Sequence, residues 1–172
     1  MNVLFYIAAA VAVICTIMVI TNMNAVHALL YLIVSLLSLA LIFFLLGAPF
    51  AAALEVIVYA GAIMVLFVFV VMMLNPESQT IRSRKQLLRP GMWFGPAVPA
   101  AILLGELIYV LTAARGTFPA NVVVEPHELS RTLFGPYVLC VELASILLMA
   151  GLVGAYHLAR PEVLETSEGD DR

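Results

Sequence analysis

Charge is what this sequence has least of. Only 11% of its 172 residues are Asp, Glu, Lys or Arg, against 64% hydrophobic, where a water-soluble domain carries about a quarter charged residues. A water-facing fold is therefore excluded, and for most of its length the solvent of the chain is lipid. Clustered basic residues are lacking as well, so there is no footprint for nucleic acid. The net charge of −3 comes mainly from residues 161–172, PEVLETSEGDDR, an acidic stretch poor in apolar residues that reads as a disordered tail. Cysteine is limited to Cys15 and Cys140, far apart and each inside an apolar run. They form no CxxC pair and no metal-ligand spacing, and read as small packing residues. There is no GxGxxG or phosphate loop, and no internal repeat of the kind that builds inverted-repeat transporters. The chain contains no recognisable active site.

What is present is a series of apolar runs. Five reach spanning length, at about 2–21, 26–47, 50–74, 93–114 and 133–158. None alternates as a membrane strand would, and a helix satisfies its own backbone in lipid, so the expected fold is an all-α membrane protein of five transmembrane helices occupying residues 1–160. The first run lacks the basic n-region and AxA-like site of a signal peptide and reads as a retained span. Thr21–Asn24 and Ala48-Pro49 are tight connections, which makes the first three helices an antiparallel meander. Pro96 and Pro99 fall in the opening turns of span four and Pro136 in those of span five, where proline costs least. Arg82, Arg84, Lys85, Arg89, Arg160 and Arg172 lie on one side of this layout, and only Arg115 and Arg131 on the other. The positive-inside rule places the N-terminus outside and the C-terminus in the cytoplasm, with Trp93 and Tyr156 near the cytoplasmic boundary.

Three acids interrupt the spans: Glu55, Glu106 and Glu142. An ionisable group in the hydrocarbon costs about 3 kcal/mol or more on insertion scales and usually faces protein or water. Glu55 lies roughly 7 Å from the outer end of span three, Glu106 close to the midplane of span four, and Glu142 in the outer half of span five. No Lys or Arg within a span neutralises them. Glu55 and Tyr59, four apart, share a helix face, as do Glu142 and Ser145, three apart. Two readings stay open at this point: membership of a proton-transfer path, or hydrogen-bonded glue between helices.

Span three, LEVIVYAGAIMVLFVFVVMML at residues 54–74, has a weak waist at Ala60-Gly61-Ala62. Small residues permit close helix packing, and that reading suffices for the Ala150/Gly154 and Gly151/Ala155 pairs of span five. In span three the glycine precedes Val65, Phe67, Val68, Phe69, Val70 and Val71, mediocre helix formers. Such a helix is a candidate for a π-bulge over Ala60, Gly61, Ala62, Ile63, Met64 and Val65. Met64, Met72 and Met73 read as packing residues. His27 and His157, both near the cytoplasmic boundary, would supply a haem with one ligand pair, but a polar helix end is the better reading of each. His127 reads as solvated. No metal site is expected.

NAVHALLYLIVSLLSLALIFFLLGAPFAAALEVIVYAGAIMVLFVFVVMMLN, residues 24–75, and TLFGPYVLCVELASILLMAGLVGAYH, residues 132–157, resemble the subunit J (chain 6) family of the membrane arm of proton-pumping NADH–quinone oxidoreductase, respiratory complex I. The two stretches cover nearly half of the chain. The resemblance implies five transmembrane helices, the third with a π-bulge about Tyr59–Leu66, and neighbours among subunits H, A and K near the quinone-binding module. It implies no redox centre in this chain; NADH, FMN, iron–sulfur clusters and quinone belong to partner subunits. It further implies a bacterial inner (plasma) membrane location, ahead of the mitochondrial inner membrane. The third helix is expected to change conformation and so make or break a water path, with Tyr59 in the water wire and Glu55 setting the local field. A membrane subunit of a multi-chain cation/proton antiporter and a purely structural scaffold are the competing readings.

Overall fold

The computed structural model describes residues 2–74, 90–113 and 124–160. Every regular element among the described residues is helical, and five helices are long and apolar enough to cross a membrane. They are α1 (Asn2–Thr21), α2 (Ala25–Leu45), α3 (Pro49–Leu74), α4 (Pro90–Ala113) and, after the short α5 (Pro126–Leu133), α6 (Val138–Ala159). The chain divides into two compact units, Met1–Glu125 and Pro126–Arg172. The basic loop, residues 115–123 of the connection after the fourth span and the acidic tail lie outside the described residues, so the charges behind the expected orientation do too, apart from Arg131 and Arg160.

In the first unit α2 is the hub, packed against α1, α3 and α4. Its seam with α1 is made by small residues: Ala8, Val11, Ala12 and Cys15 recur on one face of α1 and are all buried, Ala8 and Cys15 completely. Small side chains let two backbones approach closely where lipid gives no hydrophobic reason to associate. The approach is then fixed by polar contacts. Thr16 and Ser35 hydroxyls lie 3.0 Å apart, and each also donates to the Ala12 carbonyl, at 2.8 and 3.2 Å. Cys15 therefore packs as expected. The core continues through Val34 and Leu41 of α2 to Leu103 of α4.

The two tight connections are built by local chemistry. Asn24 caps α2, its Oδ1 accepting from the backbone N–H of Val26 (3.0 Å) and His27 (3.4 Å). At the other end Gly47 adopts φ 84°, the left-handed conformation that only glycine enters cheaply. That lets Ala48 N–H donate to Phe43 O and Gly47 N–H to Phe44 O, a Schellman closure. Pro49 then opens α3 at its first position, where a missing N–H costs nothing.

Two expected helix starts need correction. α4 as described runs from Pro90, so Pro96 and Pro99 lie inside it, not in its opening turns. The fifth span begins at Val138, not 133, with Pro136 in the turn before it. A proline disfavours helical backbone in the residue before it, and Gly135-Pro136 accordingly separates α5 from α6. In this second unit, Phe134 N–H donates to Ser130 O at 3.0 Å and Tyr137 N–H to Thr132 O at 3.3 Å, closing α5. Cys140 of α6 is exposed and unpaired.

Candidate functional site

The middle of α3 is not an α-helix. After a short α-helical start at Pro49–Leu54, residues Glu55–Ile63 wind as a π-helix, and Met64–Leu74 return to α. The ladder shows the wider turn directly: Met64 N–H donates to Tyr59 O, five residues back. The bond stays within the helix, the kind of pairing lipid demands of a spanning segment.

The widening starts earlier than the glycine alone implies. The expected window was 60–65; Ala60, Gly61, Ala62 and Ile63 fall in the π segment, whereas Met64 and Val65 are already α-helical. The overlooked signal is Val56-Ile57-Val58, three β-branched side chains in succession that crowd the preceding turn of an α-helix. A wider turn relieves that crowding.

Gly61 has a specific place in this geometry. A Cβ on it would stand 3.1 Å from the carbonyl oxygen of Val56, closer than an ordinary van der Waals contact. Val56 is five residues back, so the close approach is a product of the π register. In α geometry a carbonyl five residues back lies farther off, and this contact is not made.

The side chains sort by the same period. Glu55 and Ala60, five apart, are both half-buried, while Tyr59 is 50% exposed and Gly61 and Ala62 are open. The wide turn thus pairs Glu55 with Ala60 on the inner side and turns Tyr59 outward, where α spacing would have put Glu55 and Tyr59 together. Neither Glu55 nor Tyr59 makes a side-chain hydrogen bond among the described residues. At the junction Met64 is buried at 8% exposure, between Ile63 at 37% and Val65 at 60%. Val56 also lines an apolar groove of about 540 Å³ between α2, α3 and α4, with Ala52 and Ala53 beside it and Leu103 and Leu107 opposite.

The other two acids stand apart from this segment. Glu106 is the thirteenth of the 19 residues of the span Phe94–Thr112 and is 6% exposed. Neither carboxyl oxygen finds a hydrogen-bond partner among the described residues. Glu142 belongs to the second unit, is exposed there, and receives the Ser145 hydroxyl on its backbone oxygen at 2.8 Å, not on its carboxyl group. Among polar residues, sequence reasoning missed Ser38, which is wholly buried with an unpartnered Oγ; two serines three apart in an otherwise apolar span were the available signal. His27 is buried near the start of α2 and His157 is in the last turn of α6, in the other unit. Among the described residues no group of three or more His, Cys, Asp or Glu is placed to hold a metal.

Residues 15–158 match the protein family described as NADH-ubiquinone/plastoquinone oxidoreductase chain 6. The chain is 56% identical over 159 residues to NADH-quinone oxidoreductase subunit J of Pseudomonas aeruginosa, covering 92% of this chain and 96% of that one. It is 53% identical over 158 residues to the subunit J of Escherichia coli (strain K12), covering 92% and 86%. To that of Buchnera aphidicola subsp. Schizaphis graminum it is 45% identical over 160 residues, covering 93% and 98%.

Proposed function

The chain belongs to the NADH-ubiquinone/plastoquinone oxidoreductase chain 6 family and is a membrane subunit of NADH-quinone oxidoreductase, complex I; on that premise we propose that it helps couple quinone reduction to proton translocation by a register change in α3. The observation that carries this reading is the π-helical segment Glu55–Ile63 in the middle of a membrane span.

An α-helix turns by about 100° per residue. Reverting the π segment to α would therefore rotate Met64–Leu74 against Pro49–Leu54, by about 100° for each residue of widening lost. Met64 would leave its buried position, and a neighbouring side chain would replace it. A helix in either register bonds its backbone within the segment, which is the condition lipid imposes, so the two can lie close in energy. A two-state element of that kind is what coupling between distant sites needs. Tyr59 and Glu55 ride on the segment. In one register they meet water and each other's surroundings differently than in the other, and a proton path through them is made or broken. Glu106 and Glu142 are further acids available to such a path.

The chain supplies no redox group in this scheme. NADH, FMN, iron–sulfur clusters and quinone are held by partner subunits, and its nearest neighbours are subunits H, A and K. It lies in the bacterial inner (plasma) membrane with its N-terminus outside and its C-terminus in the cytoplasm.

The test is to place Tyr59→Phe and Glu55→Gln separately in the complex, purified through a tag on the C-terminus and reconstituted in liposomes. NADH oxidation with an artificial electron acceptor should be retained, while protons moved per NADH fall. Undiminished proton movement in both variants would leave the chain a scaffold. Co-purification with antiporter-like subunits and no peripheral redox arm would instead make it part of a cation/proton antiporter.

A further inference from the structure

The interior of the first unit holds a second acid, away from the π segment. Leu103, Glu106 and Val110 form the buried stripe of α4, the helix that packs on α2 and α1. Both Glu106 carboxyl oxygens lie there without a partner among the described residues, and so does the Ser38 hydroxyl of α2. The two helices run in the same direction. Tyr31 meets Gly95 near their beginnings, and Leu41 and Leu103 share one buried cluster further along.

Taking Leu41 and Leu103 as level, Ser38 and Glu106 are separated by about 9 Å of axial rise. Side chains on a helix lean toward its N-terminus, which carries the long Glu106 side chain back toward the level of Ser38. Each buried polar atom left without a hydrogen bond costs about 1–3 kcal/mol, and there are three of them here. The groove between α3 and α4 offers no relief, because it is lined by Leu103, Leu104 and Leu107 and not by Glu106. Water is the small molecule that satisfies such groups, a buried one typically making about three hydrogen bonds.

We propose that Glu106 and Ser38 form an internal hydration site, in which the carboxyl and hydroxyl groups hold one or more water molecules among α1, α2 and α4. The site is separate from the π segment, and it stands whether or not α3 changes register. His27, whose Nδ1 is also buried and unpartnered, is about 16 Å away along α2 and takes no part.

The test is a map of the intact complex at a resolution that shows water, for the wild type, Ser38→Ala and Glu106→Leu. Water should lie within hydrogen-bond distance of the Glu106 carboxyl and the Ser38 hydroxyl. Ser38→Ala should lose the water nearest position 38, and Glu106→Leu should be dry. A Glu106 carboxyl bonded directly to a protein group, from this chain or a neighbour, with no water at either side chain would overturn the proposal. Hydroxyl-radical footprinting in oxygen-labelled water gives an independent reading. Label at Leu41 and Leu103 should fall several-fold in Glu106→Leu, and equal labelling in both proteins would count against the site.

Discussion

Replacing Gly61 adds bulk inside the π segment itself. An alanine there puts a methyl carbon 3.1 Å from Val56 O. That oxygen is backbone, held in a helix, and cannot swing aside as the end of a side chain would. The strain is about 1 kcal/mol for the methyl group and about 2 kcal/mol for a valine, from the lower part of the range for overpacking. Alanine's intrinsic advantage over glycine, also about 1 kcal/mol, favours both helical registers alike and drops out of their ratio. What remains disfavours the π register alone, because in the α register position 61 no longer faces Val56 O. With tenfold per 1.4 kcal/mol, Gly61→Ala shifts the balance toward α by about fivefold and Gly61→Val by about thirtyfold. Complexes carrying each variant, in liposomes, are expected to oxidise NADH with an artificial acceptor normally. They should move fewer protons per NADH in the order wild type, Ala, Val. A Gly61→Val complex that assembles, keeps the π register and moves protons at the wild-type ratio refutes the reasoning.

Three further expectations concern the frame that holds this segment. Gly47→Ala forces a side chain into the left-handed region at φ 84° and should destabilise the α2–α3 turn by about 1–2 kcal/mol, seen as earlier thermal loss of the chain from the solubilised complex. Asn24→Ala removes the cap accepting from Val26 and His27; a loss of about 1 kcal/mol is expected, with Asn24→Asp retaining most of it in the same assay. Gly95→Ala would drive a methyl group into the Tyr31 hydroxyl. Tyr31→Phe should recover part of the loss, giving a coupling of about 1 kcal/mol in a double-mutant cycle; strictly additive effects would show that the two helices do not meet there.

The spans were legible because lipid leaves the backbone no other choice. Once an apolar run exceeds about twenty residues, helix follows from the need to pair every N–H and C=O, and Asn2–Thr21 was recovered to the residue. Helix ends were less so, because they depend on competition between local signals. At Gly135-Pro136 the proline won over the apolar residues around it, and at Pro90 the helix extended upstream of the apolar run. The amphipathic α5 went unread, since eight residues with two charges look like loop when a membrane span follows. The π segment was half legible. Gly61 marked a weak point, but the start at Glu55 depends on crowding by Val56, Ile57 and Val58, which composition does not display. The burial of Glu106 and Ser38 was not legible at all. An acid near mid-span reads alike whether it faces lipid, a partner or its own unit, and only the packing of α4 on α1 and α2 decides.

Coupling by α3 depends above all on the hydrogen-bond register of residues 55–63 in the working complex. That register is measured by comparing maps of the complex at rest and frozen during NADH turnover with quinone present. Two registers are expected: a π segment with Met64 N–H on Tyr59 O and Met64 buried, and an α register with the Met64–Leu74 half rotated away from that position. A single π register in both conditions, with Met64 unmoved while protons are being translocated, would contradict that coupling.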